Sequence, residues 1–150
     1  MKKAIAVLLL IAMMLTLASC QSKNKGVKEL TILGLDPRLG KISTRVDERH
    51  GLDRKGTLKM IIHFKEDLEP LLKENDRWGD YPVENPFIQG VYEKMGKDIK
   101  FIPQIFHGYF TIVDRGAGNL VDLSGEVTQS FIFAVYDAGH RVMYYMEVNN

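Results

Sequence analysis

Gln129–Val148, QSFIFAVYDAGHRVMYYMEV, is two apolar runs around a short polar break, and its reading decides the fold. Phe131 to Val135 is apolar at every position, so neither face of this segment suits water. A strand apolar on both faces belongs in the middle of a sheet that is covered. Arg141 to Val148 is a second candidate strand. Asp137-Ala138-Gly139-His140 between them has the composition of a tight turn, so the two runs are expected to pair as an antiparallel hairpin.

Further strands flank this hairpin in the sequence. Tyr109 to Val113 and Leu120 to Leu123 are candidates upstream, with Lys100 to Ile105 an irregular one. Nearer the amino end, Thr57 to Phe64 (TLKMIIHF) is rich in β-branched residues. Ile42, Thr44 and Val46 alternate with polar neighbours, the period of a half-buried strand. Leu30-Thr31-Ile32-Leu33 is expected to begin a strand, followed by a turn at Asp36-Pro37 that closes near Gly40. These first three strands read as a meander.

Two helices are expected between the groups of strands. Glu66 to Asn75 places Leu68, Leu71 and Leu72 on one face, with Pro70 tolerable near the first turn. The second helix is marked at both ends. Asn85 suits the cap, Pro86 the first helical position, and Gly96 the residue just past the end. Phe87, Ile88, Val91, Tyr92 and Met95 form its apolar stripe, which reads as core packing. The expected fold is α+β, a mostly antiparallel sheet of about six to eight strands with two helices packed on one face.

The amino end obeys different rules. Lys2 and Lys3 precede an uninterrupted apolar run from Ala4 to Leu15, and the only cysteine is Cys20. Crossing a bilayer takes about 20 apolar residues, so this run fits the core of a signal peptide better than a spanning helix. Leu17-Ala18-Ser19-Cys20 resembles the lipobox of bacterial lipoproteins. The resemblance implies cleavage before Cys20, a diacylglycerol thioether on its sulfur, and an acylated amino group. Residues 1–19 would then be signal peptide, 20–26 a lipidated tether, and 27–150 a single globular domain. Gln21 follows the cysteine, which implies an outer-membrane destination facing the periplasm where the cell is Gram-negative.

Loss of residues 1–19 removes two lysines and no acid, leaving 18 basic against 19 acidic side chains. That near-neutral balance implies neither a nucleic-acid binder nor a binder of anionic membrane surfaces. The lone cysteine permits no internal disulfide. His50, His63, His107 and His140 lack the spacing of a zinc-protease helix. Asp114 to Asn119 (DRGAGN) is glycine-rich, but no Gly-Lys-Ser/Thr follows and no helix is expected after it, so it reads as a hairpin loop. No residue is assigned a catalytic or metal-binding role, and no cofactor is expected.

Two stretches carry candidate binding residues. Trp78, Asp80 and Tyr81 lie in the connection between the helices, where aromatic residues serve either as interface anchors or as a plug at the edge of the core. Arg49, His50 and Arg54 lie in the charged loop Glu48 to Gly56, which reads either as a solvated loop or as one that steers a partner. Three functional classes follow. The first is a membrane-anchored protein-binding module, concretely an immunity or inhibitor protein that neutralises a secreted, periplasm-acting effector. The second is an assembly subunit of envelope or secretion machinery. The third is a hydrolase of envelope polymers.

Overall fold

The computed structural model describes residues 26–99, 102–124 and 127–150. The segment expected to be a signal peptide, with Cys20, lies outside the described residues. The strands are β1 (Gly40–Asp47), β2 (Gly56–Phe64), β3 (Gly79–Tyr81), β4 (Gly108–Asp114), β5 (Phe131–Asp137) and β6 (Val142–Asn149). The α-helices are α1 (Glu69–Lys73) and α2 (Pro86–Asp98). All six strands join one antiparallel sheet in the order β1-β2-β6-β5-β4-β3, and the fold class is α+β.

The hairpin at the carboxyl end forms the centre of this sheet. Phe131 pairs with Val148 and Asp137 with Val142, and every residue of β5 is buried. Because successive side chains alternate across a strand, a strand buried throughout needs cover on both faces. Ile132, Ala134 and Tyr136 meet Leu68 and Leu72 from the α1 region, with Leu30 and Leu33 beside them. Phe131, Phe133 and Val135 meet Ile88, Val91 and Met95 of α2. The two helices therefore lie on opposite faces, not on one.

The chain changes face at the sheet edge. Trp78 packs into the cluster on the α1 side, and Tyr81 into the cluster on the α2 side. The three-residue strand β3, paired with β4, carries the backbone around that edge.

Local departures from the sequence reading have local causes. Leu30–Leu33 is no strand: Lys28–Leu33 is a 3-10 helix, whose three-residue turn sends both Leu30 and Leu33 into the core. The expected meander is thus a β1–β2 hairpin with a helical lead-in. In α1, Leu72 is buried while Leu71 is 45% exposed, so the expected three-leucine face does not form. Leu120–Leu123 contributes one bridge, Val113 to Leu120, rather than a strand. Helix α2 runs through Gly96 to Asp98, and the buried Ile99 closes it.

The start of α2 follows the sequence closely. The Asn85 side chain accepts from the amides of Phe87 (3.0 Å) and Ile88 (3.2 Å), which would otherwise lack partners. Asn85→Ala is expected to cost about 1 kcal/mol, read as a lower urea midpoint at unchanged slope. An unchanged midpoint would mean that the cap contributes nothing net.

Candidate functional site

Strands β1 and β2 are joined by a loop that extends past the sheet. Gly51 and Gly56 hold positive φ (75° and 120°), and a Cβ at Gly56 would come within 2.5 Å of the Glu48 carbonyl oxygen. Glycine is required at such a position because a side chain has no room. The amide of His50 donates to the Lys55 carbonyl (2.7 Å) and closes the tip. Leu52, at its apex, is fully exposed to solvent.

The loop is tied to the sheet from two sides. Arg49 turns inward: its side chain is 5% exposed, and Nη1 donates to Glu147 Oε1 at 2.9 Å. Its Nε and Nη2 donate to the two carboxylate oxygens of Asp47, each at 2.7 Å. These bonds hold the Asp47 carboxyl far below the usual carboxylate range. Arg115 Nε completes the network on Glu147 Oε1 at 2.7 Å. Burial pushes the Glu147 carboxyl up, but the bonds from Arg115 and Arg49 outweigh it and hold the group below its ordinary value. From the carboxyl end, Asn149 Nδ2 donates to the carbonyls of Asp53 (2.8 Å) and Arg54 (2.9 Å).

Of the sequence candidates, this loop gathers Arg49, His50 and Arg54. Arg49 is a structural tie, His50 is exposed, and Arg54 is largely exposed with one 3.3 Å contact to Asp47. The other three do not join them. Trp78 and Tyr81 are core residues, and only Asp80 is exposed, on edge strand β3 at the opposite side of the sheet from β1. Leu52, Glu147, Arg115 and Asn149 are residues that sequence reasoning missed.

No family model, curated protein or solved structure matches this chain.

The remaining chemistry-bearing groups are dispersed. Among the described residues no three histidine, cysteine or acidic side chains gather as a metal site. His140 Nδ1 lies 2.7 Å from Asp137 within one hairpin turn, and His107 Nε2 lies 3.2 Å from Glu69. Glu69 is also held by Lys73 and Tyr109, which lower its carboxyl to about 2. In the glycine-rich loop, Asp114 Oδ1 accepts from the amides of Gly116 (2.8 Å) and Ala117 (2.6 Å). The donors a phosphate would use are therefore satisfied by the loop's own carboxylate.

Proposed function

We propose that this chain is a lipid-anchored envelope protein that binds another protein through the tip of the β1–β2 hairpin. In its most concrete form it is an immunity protein that blocks the active site of a periplasm-acting effector. The observation that carries this reading is the hairpin itself: an apex leucine fully in solvent, on a loop already tied down by Glu147 and Asn149. Ordering a loop on binding costs about 0.5–1.5 kcal/mol per immobilised side chain, and a tied loop has met much of that cost beforehand. A tied protrusion with an apolar apex suits insertion into a partner's cleft, and its flanks carry mixed charge that can set its orientation there. His50, Asp53, Arg54 and Lys55 are the exposed flanking groups.

The anchor is the other half of the reading. Cys20 would carry the lipids, with two or more acyl chains giving stable attachment.

A tag after Asn150, crosslinking in intact cells and identification of the captured protein test this directly. One stoichiometric secreted effector is expected. Leu52→Asp should weaken its binding by about 30-fold or more, the scale of an interface hot spot, while changing stability by less than about 0.5 kcal/mol. Co-capture of several subunits of one apparatus would replace the inhibitor by an assembly factor. Unchanged affinity in Leu52→Asp would remove the hairpin from the interface.

A further inference from the structure

A broad groove of about 730 Å³ runs beside the first half of edge strand β1, at the end of the sheet remote from the hairpin tip. Its walls include Lys28, Arg38, Lys41, Arg45, His63 and Lys65. The acids at hand are already engaged. Glu29 accepts from Arg45 at 3.0 Å, and Asp36, just outside the lining, holds Arg38 at 2.6 Å. Lys28, Lys41 and Lys65 are exposed and have no acidic partner within ion-pair distance among the described residues. A chain that is near neutral as a whole, with 20 basic and 19 acidic side chains, thus concentrates positive charge in one place.

Two further facts point to what the charge meets. Gly26 lines the groove, so the backbone enters the domain there. From Cys20 to Gly26 is six residues, which at roughly 3.3–3.6 Å each reach about 20 Å at most. In addition Phe106, just before β4, is 79% exposed at this same end of the sheet. Lysines that attract phosphates and an aromatic ring that enters the headgroup layer are the usual parts of a membrane-facing surface.

Granted the lipid anchor proposed above, we infer that this groove is a docking site for the anionic headgroups of the membrane that holds the protein. The short tether keeps the groove within reach of the headgroup phosphates. β1 then runs away from the membrane, and its eight residues, at about 3.3 Å each, carry the hairpin roughly 25 Å outward. Docking therefore presents Leu52 to partners instead of leaving the domain to tumble on its tether.

The test uses the lipidated protein in vesicles. Cys20 would have no free thiol, so an introduced cysteine can be labelled alone. One label goes at Ser43→Cys, an exposed neutral position on β1 beside the groove, and another at Asp53→Cys on the hairpin. A quencher attached to lipid headgroups reports their depth. In phosphatidylcholine vesicles containing phosphatidylglycerol, the Ser43→Cys label should be quenched and the Asp53→Cys label spared. Removing the anionic lipid, raising the salt, or introducing Lys28→Glu with Lys41→Glu should release the first label. The docked-to-free ratio should fall about fivefold for each lysine charge lost.

Equal quenching at both positions, or indifference to phosphatidylglycerol, would overturn the groove assignment and leave the anchor standing. Protection of Ser43→Cys by a captured protein but not by anionic vesicles would overturn it in favour of strand addition to β1. A purified chain with no lipid mass on Cys20 would overturn the anchor, and membrane docking with it.

Discussion

Glu147→Gln should destabilise the domain by about 3–5 kcal/mol, a large share of what a domain of this size possesses. The reason is what remains behind. Arg49 is 5% exposed and Glu147 8% exposed, so the substitution leaves a guanidinium buried with Asp47 as its one remaining carboxylate. Arg115, which donates to the same Glu147 oxygen, loses the carboxylate charge as well. Breaking one side of a buried pair costs far more than removing the pair, so Arg49→Met combined with Glu147→Leu should recover much of the loss. Urea titrations of the two single variants and the double variant measure this coupling. The pH dependence has a definite sign. Glu147 is held below its ordinary value of 4.5, so its contribution is present above that pH and is lost as the pH falls through the folded-state value. Glu147→Gln should accordingly flatten the acid limb of the stability profile. A variant within about 0.5 kcal/mol of the parent, with the same acid limb, would show that the network does not secure the hairpin.

That network also marks where the sequence stopped being informative. Phe131 to Val135 and the Asn85-Pro86 pair announce their structures because the cause is local: an all-apolar strand, and a cap beside the first helical residue. Leu30 to Leu33 misleads because Leu-Thr-Ile-Leu satisfies strand alternation and three-residue spacing equally well, and only packing chooses between them. The side on which each helix lies depends on where the chain rounds the sheet edge at β3, which no periodicity encodes. The candidate site divides in the same way. A charged loop at Glu48–Gly56 is visible in the sequence, but Arg49 and Glu147 are 98 positions apart, and nothing local announces their pairing. Leu52 reads as one ordinary apolar residue until the fold leaves it bare at an apex. The basic groove is hidden for a related reason: Lys28, Lys41 and Lys65 are spread through a near-neutral chain and meet only once the 3-10 helix, β1 and the end of β2 come together.

Trp78 supplies the second large effect and separates two roles that a tryptophan in a connecting segment can have. Trp78→Ala is expected to cost about 3–5 kcal/mol, because the indole is 8% exposed and fills the cluster around Leu68, Leu72 and Tyr136. At roughly 4 °C per kcal/mol for a domain of this length, the melting temperature should fall by about 12–20 °C. Trp78→Phe should behave differently. It keeps an aromatic ring in the site and removes an indole N–H that has no hydrogen-bond partner among the described residues. Relief of that unsatisfied donor, a cost on the order of 1–3 kcal/mol, offsets part of the volume lost. The phenylalanine variant should therefore fall well short of the alanine loss. An interface anchor would give the opposite pattern, with normal melting for Trp78→Ala and weakened partner capture. The geometry favours the first outcome, because Trp78 and Tyr81 insert on opposite faces of the sheet edge and clamp the backbone as it passes between them. Loosening that clamp would expose the α1-side core along the β3 edge, while the hairpin, at the β1 edge of the sheet, would keep its ties to Glu147 and Asn149.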